Sequence, residues 1–70
     1  MPHMPLYQTI VTDITNSAAT GALKRGDRLP SIKQLAAQYE CSEAVVKTAL
    51  AVLRATGVVE GRQGIGTFIA

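Results

Sequence analysis

The stretch that decides the fold runs from residue 31 to residue 50 and reads SIKQLAAQYECSEAVVKTAL. Ser31 is followed three residues later by Gln34, and these two side chains form the reciprocal cap that begins a helix. Apolar residues at helical spacing follow, so we predict a short helix over about Ile32 to Gln38. The segment YECS is a tight connection, and its last residue, Ser42, is a second capping residue. The stretch therefore predicts two consecutive helices with a tight turn between them.

The second helix of this pair is amphipathic, and Gly57 ends it. A carboxylate in its first turn suits the positive end of the helix dipole. Its apolar stripe, which we expect to be buried, consists of Val46, Ala49, Leu50 and Leu53. Its other side, which we expect to stay free for a partner, carries Glu43, Ala44, Lys47 and Thr48. Two such helices joined by a short turn indicate a helix-turn-helix.

The segment before this pair predicts one more helix. Apolar residues at i, i+4 spacing indicate a helix over about Leu6 to Thr20, and Gly21 can take the left-handed conformation that ends it. A turn signal at Arg25-Gly26-Asp27 and a short extended piece at Arg28-Leu29 follow. Arg25 and Arg28 are therefore assigned to this turn and this extended piece.

The segment after the pair predicts a hairpin, with strands over Val58 to Gly61 and Thr67 to Ile69 and RQGIG between them. The predicted fold is mainly α with a small β-hairpin: a winged helix-turn-helix with three helices and a C-terminal wing. We expect it to occupy residues 5–70. Residues 1–4, MPHM, look like a tag or a disordered start, so His3 is set aside.

Composition narrows the function classes. The chain has 70 residues, enough for one small domain, and a net charge of +2, with all seven basic residues between positions 24 and 62. Gathered on one face, these cations would form an anion-binding surface. The single cysteine, Cys41, allows no internal disulfide, and no apolar run approaches the length of a membrane span. We expect a cytoplasmic protein that does not bind membranes.

The sequence offers no catalytic set. Cys41 is predicted to be buried, the one histidine is set aside, and no close carboxylate pair is present. We therefore predict no enzyme activity, no metal and no cofactor. The exposed side of the third helix instead suits a major groove, which is about 12 Å wide and admits one helix. Ala44 and Thr48 are small enough for close approach, and Lys47 can reach a guanine edge or a phosphate.

Four separated motifs resemble the DNA-binding domain of the GntR family of bacterial transcription regulators over residues 5–70. They are PLYQTI, GALKRGDRLPSIKQLAAQYECS, VVKTALAVLRATGVV and GRQGIGTFIA. The resemblance implies a dimeric regulator, with repression favoured, bound to a palindromic operator in double-stranded DNA. The third helix is then expected in the major groove and the wing at the minor groove. Family members carry an effector and dimerising domain after the wing, so this chain is either part of a longer regulator or a short free-standing protein. We expect a homodimer for the full-length regulator and a monomer for this domain alone.

The resemblance also implies which residues contact DNA. Lys33 and Lys47 match positions where the family usually has DNA-contacting arginines. Ser31 and Ser42 match helix-starting residues whose backbone amides can hold phosphates. The wing contacts are expected from Arg62, Gln63 and Gly64, where glycine permits a sharp turn and close approach.

Two residues depart from the family pattern. Glu43 stands where arginine is usual, and Val45 stands where threonine is common. A carboxylate repels phosphates, although it can accept a hydrogen bond from cytosine N4; a plain helix-stabilising role for Glu43 stays open. Arg54 is expected to complement the dipole at the helix C-terminus, with a phosphate contact as the alternative. For the whole domain, the alternative function is protein–protein contact or dimerisation through the winged helix.

Overall fold

The computed structural model describes residues 6–70, so the predicted tag-like start and Pro5 lie outside the described residues. The elements are α1 Leu6–Thr20, α2 Ile32–Gln38, α3 Glu43–Ala55, β1 Val59–Arg62 and β2 Gly66–Ile69. The fold class and the three predicted helices are confirmed. The strand bounds differ by one residue, because pairing of Arg62 with Gly66 extends the ladder to the edge of the turn.

Local hydrogen bonds determine where α2 and α3 begin. The Gln34 amide donates to Ser31 Oγ at 3.1 Å, and the Ser31 amide donates to Gln34 Oε1 at 2.9 Å. At α3, Ser42 Oγ accepts from the Val45 amide at 3.3 Å. Between the two helices Glu40 has a φ of 53°, a left-handed conformation that reverses the chain within a few residues. The caps and this turn together set the direction of α3 relative to α2.

The hydrophobic core lies where α3 packs against α1, α2 and β1. Its buried members are Ile10, Ile14, Leu29, Leu35, Ala36, Val46, Ala49, Leu50, Leu53, Val59 and Ile69. The stripe of α3 that the sequence predicts to be buried is confirmed. Cys41 is only half-buried at the edge of this core, because it lies in the turn between α2 and α3, where one side faces solvent.

The extended piece predicted at Arg28-Leu29 joins the hairpin as a short third strand. Arg28 forms an isolated antiparallel bridge with Phe68, and the Leu29 amide donates to the Thr67 carbonyl at 2.8 Å. The Ile69 amide donates to the Asp27 carbonyl at 2.8 Å on the same edge. These bonds hold the root of the wing to the loop that precedes α2.

The two faces of the hairpin contact different parts of the molecule. Val59 pairs with Ile69, and both side chains are buried in the core. Because side chains alternate along a strand, the next cross-strand pair on this inner face is Gly61 with Thr67. The outer face carries Glu60, Arg62 and Phe68. The inner face is therefore the one that continues toward α3.

Candidate nucleic-acid interface

The exposed side of α3 presents one continuous stripe. Glu43, Lys47 and Arg54 are all exposed, and their spacing of four and seven residues places them on the same side of the helix. The small exposed residue Ala51 lies between the two cations. Lys47 has no ion-pair partner among residues 6–70. This stripe is the surface of α3 that a groove of a duplex can accept.

Two of the predicted contact residues lie beside the stripe, on the side toward α1. Ala44 and Thr48 are exposed, and the Thr48 hydroxyl donates to the Ala44 carbonyl at 3.1 Å. That bond uses the only proton of the hydroxyl, so Thr48 can offer a partner only its acceptor lone pairs. An ionised Glu43 is likewise an acceptor only, whereas Lys47 is a donor only. The segment from Glu43 to Thr48 thus presents a defined pattern of one donor and two acceptors.

The predicted contacts of α2 lie at its start. Lys33 is exposed in the first turn. The Ser31 amide is already bonded to Gln34 Oε1, and Ser31 Oγ accepts from the Gln34 amide. Ser42 Oγ has the corresponding role at α3. The Ser31 amide, expected from the resemblance to bind a phosphate, is therefore occupied by the capping box, and Ser31 keeps its hydroxyl proton as a donor. Ser42 keeps its hydroxyl proton, because its Oγ acts as an acceptor in the cap.

The tip of the wing is a tight turn that requires glycine. The Ile65 amide donates to the Arg62 carbonyl at 3.0 Å, and Gly64 has a φ of 76°. Positive φ at the third residue of such a turn is typical of type II, in which glycine is favoured. Gln63 and Gly64 are both exposed at this tip. Beside them the Ile65 side chain is 56% exposed, an apolar feature that the sequence analysis did not single out.

Arg62 is held on the outer face of the wing. Its Nη2 lies 3.0 Å from Glu60 Oε1, and the two side chains are 54% and 50% exposed. Its guanidinium carbon also lies 4.8 Å from the centroid of the Phe68 ring, a cation–π arrangement. The predicted wing cation is thus on the face of the hairpin opposite to α3, with a carboxylate beside it.

Two further arginines, Arg54 and Arg28, lie against glycine residues of the hairpin. A Cβ added to Gly61 would lie 3.5 Å from Arg54 Nε, and one added to Gly66 would lie 2.9 Å from Arg28 Nε. Glycine therefore allows each guanidinium to lie against the hairpin backbone. The sequence alone places these arginines at a helix end and in an extended piece, because their closeness to the wing depends on long-range packing.

A hydrogen bond between helices fixes the far end of α2. The Tyr39 hydroxyl donates to Asp13 Oδ2 of α1 at 2.9 Å. The pKa of Tyr39 is raised to about 12, chiefly by burial and in addition by the hydrogen bond to Asp13 and the charge of that carboxylate. Tyr39 and Tyr7 both pack against the core as partly buried residues.

The described part of the chain has few features that suggest other classes of function. Residues 6–70 contain no group of three or more histidine, cysteine, aspartate or glutamate side chains placed to hold a metal ion. None of the helices within this range has the length and apolar character needed to span a bilayer.

A helix-turn-helix with a hairpin standing beside its second helix defines a winged-helix domain. The family model described as bacterial regulatory proteins, gntR family, matches residues 6–69. The chain belongs to this family.

Known relatives and structures agree with this assignment. The chain is 38% identical over 69 residues to the mannosyl-D-glycerate transport/metabolism system repressor MngR of Escherichia coli (strain K12), covering 99% of this chain and 29% of MngR. It superposes on a transcriptional regulator from Oenococcus oeni with a TM-score of 0.94 and 34% identity, covering 100% of this chain and 58% of that one. It also superposes on AraR(DBD) in complex with operator ORR3 with a TM-score of 0.93 and 25% identity, covering 99% and 83% of the two chains. The chain thus spans less than a third of MngR.

Proposed function

We propose that this domain binds double-stranded DNA in a sequence-dependent manner and thereby regulates transcription, with repression as the favoured sense. The observation that carries the proposal is the exposed stripe of α3, with Lys47 at its centre and the wing beside its C-terminal end. The solved structure of AraR(DBD), which is 25% identical, is a complex with an operator. We infer a cytoplasmic role in binding rather than catalysis.

In this proposal α3 occupies the major groove. Lys47 donates to a guanine edge or a phosphate, while Glu43 and Thr48 accept from base amino groups such as cytosine N4. Ala44 lets the helix backbone approach closely. Lys33 and the hydroxyls of Ser31 and Ser42 contact phosphates on either side, which position the helix without reading sequence.

The wing tip lies at the minor groove. Gln63 and Gly64 approach the duplex through the turn, and Arg62 supplies charge from the outer face of the hairpin. The exposed Ile65 adds an apolar surface at the tip, of the kind that minor-groove proteins place against base steps.

The full-length regulator is proposed to be a homodimer on a palindromic operator. Joining two domains raises the effective concentration of the second, so the isolated domain binds a half-site weakly. MngR is more than three times as long as the matched segment, since the chain covers 29% of it. We assign dimerisation and effector sensing to such additional sequence.

The test is a titration of a mixed-sequence duplex with this domain over a range of salt concentrations. Each neutralised phosphate adds about 0.9 to the slope of log affinity against log salt. We expect a steep slope for the wild-type domain. Selection of bound duplexes from a random pool then gives the preferred bases, and the selection is repeated with Glu43→Arg and Lys47→Ala.

Lys47→Ala is expected to weaken duplex binding and to change the preferred bases or lower the salt slope by about 1. Lys24→Ala is the matched control, because Lys24 is an exposed lysine in the turn before α2 and lines a groove that contains no residue of α3. A wild-type domain with a flat salt response would contradict DNA binding. Equal behaviour of the two lysine variants would contradict the placement of α3.

A protein–protein role is the second candidate, and one observation favours it. An apolar groove of about 320 Å³ lies between the start of α1 and α3, lined by Leu6, Tyr7, Ala44, Val45 and Thr48. Leu6 is 39% exposed there. Sedimentation analysis separates the two roles, since dimerisation through this groove predicts self-association without DNA. A monomer at high concentration would count against it.

A further inference from the structure

Arg54 lies where α3 and the wing meet. It is seven residues after Lys47, which is two helical turns, or about 10.5 Å along the axis, on the same exposed side. Its guanidinium lies against Gly61 of β1, at distances of 3.5–3.6 Å from a Cβ built there. Arg54 therefore connects the two elements that the proposed function places on DNA.

The guanidinium opens into a polar groove of about 560 Å³ between Arg54 and the hairpin segment 61–67, which we call the junction groove. Gly61 makes this groove possible, because a large side chain at that position would occupy the space beside Arg54. Thr67, the cross-strand partner of Gly61, lines the same groove. Three glycines of segment 61–67 expose their backbone along it.

The charge of Arg54 is not neutralised within the described part of the chain. The ion pair found among residues 6–70 joins Arg62 to Glu60. Arg62 also lines the junction groove, so the groove has one paired and one unpaired arginine. Of the two arginines that line the junction groove, Arg54 is thus the one without a carboxylate partner among residues 6–70, whereas Arg62 is already paired with Glu60. An anion approaching from the α3 side meets Arg54 first.

We propose that Arg54, with the Thr67 hydroxyl, binds one phosphodiester of the duplex in the junction groove, where a DNA strand passes between α3 and the wing. This inference rests on the proposed function. A guanidinium presents several donors in a fixed plane and suits phosphate oxygens. The contact fixes the distance between the helix in one groove and the wing in the next, since Arg54 touches both elements.

The test compares Arg54→Gln with Arg25→Gln in duplex titrations at several salt concentrations. Both changes remove one positive charge, but Arg25 lines a groove that shares no residue with the junction groove. We expect Arg54→Gln to lower the slope of log affinity against log salt by about 0.9. When the salt concentration rises fourfold, the duplex affinity of this variant should therefore fall about 3.5-fold less than the affinity of the wild type. Arg25→Gln is expected to keep the wild-type slope.

Two more variants separate a phosphate contact from a structural effect. Arg54→Lys retains the charge and is expected to retain the slope. Gly61→Leu keeps Arg54 but fills the junction groove, and is expected to lower the slope as Arg54→Gln does. Thermal unfolding and circular dichroism establish that each variant is folded at the temperature of the titration.

The outcomes distinguish this inference from the function on which it rests. A flat salt response of the wild-type domain would refute DNA binding itself. A steep wild-type slope that Arg54→Gln shares would refute only the phosphate contact and leave Arg54 as a helix-end charge. Inorganic phosphate serves as the free-anion probe: the Arg54 Nε–Hε NMR resonance is expected to shift with duplex and not with phosphate. Equal shifts would assign the groove to a free anion and overturn the inference.

Discussion

Glu60 restrains the arginine that the wing is proposed to offer to DNA, so removing its charge tests the role of Arg62 directly. Arg62 Nη2 lies 3.0 Å from Glu60 Oε1, and both side chains are about half exposed, at 54% and 50%. Solvent screens an ion pair at this exposure, and such pairs are worth about 0.2–1 kcal/mol. If Arg62 must leave Glu60 to reach a phosphate, binding costs the free energy of this ion pair. Glu60→Gln removes that cost, so the free energy of binding becomes more favourable by the same amount.

The expected result is an affinity for duplex DNA that rises about 1.4- to 5-fold, since 1.4 kcal/mol corresponds to a factor of ten. The amide of glutamine keeps the shape of the side chain, so the contact of Arg62 with Phe68 at 4.8 Å is expected to persist. Fluorescence anisotropy with a labelled duplex measures the change.

A general charge effect must be separated from the release of Arg62. Glu40→Gln, in the exposed turn between α2 and α3, removes the same charge without touching the wing. A double-mutant cycle with Arg62→Gln isolates the coupling, because the gain from Glu60→Gln should disappear when Arg62 is absent. An unchanged or lower affinity of Glu60→Gln, or an equal gain in the Arg62→Gln background, would refute the reasoning.

The remaining predictions concern the stability of the wing and of α2. Gly64→Ala is expected to destabilise the domain by about 1–2 kcal/mol because φ is 76° there, lowering Tm by roughly 4–16 °C. Gly61→Ala, where the new Cβ meets Arg54 at an ordinary 3.5 Å, should change stability by less than about 0.5 kcal/mol; equal losses in thermal unfolding would contradict this. The pKa of Tyr39 is raised from 10.0 to about 12, so the neutral phenol is favoured in the folded state. Its stabilising effect is therefore complete below pH 10 and lost as pH rises through about 12. The difference in unfolding free energy between wild type and Tyr39→Phe should shrink across that range, and a constant difference would argue against a raised pKa of Tyr39 in the folded state.

Much of the fold could be read from local patterns. The start of α2 and the start of α3 follow from Ser31, Gln34 and Ser42, whose capping bonds act over three residues. The buried stripe of α3 follows from the helical period, and the wing turn follows from Gly64. The strand bounds were off by one residue, because they depend on pairing between two segments rather than on either segment alone.

The candidate site likewise has features that follow from the local sequence and features that depend on long-range packing. Lys47 lies on the exposed side of α3 because the apolar residues determine which side is buried. The helical spacing of these residues therefore predicts its position from the sequence. The DNA contacts of the predicted residues stay predictions for the experiments above. The positions of Arg54 and Arg28 against the hairpin glycines had no local signal, since these partners are separated in sequence and meet only through packing.

The amino-acid sequence by itself determined the order of the elements, the helix ends and the exposed side of α3, because capping, glycine conformation and apolar spacing act within a few residues. Only the tertiary structure decided which arginine faces which surface of the wing. The register of β1 with β2 places Arg62 beside Glu60 on the outer face, and the packing of α3 on β1 places Arg54 at Gly61 on the inner one. Strand register and helix packing are long-range properties, and one residue of slip would exchange the two faces.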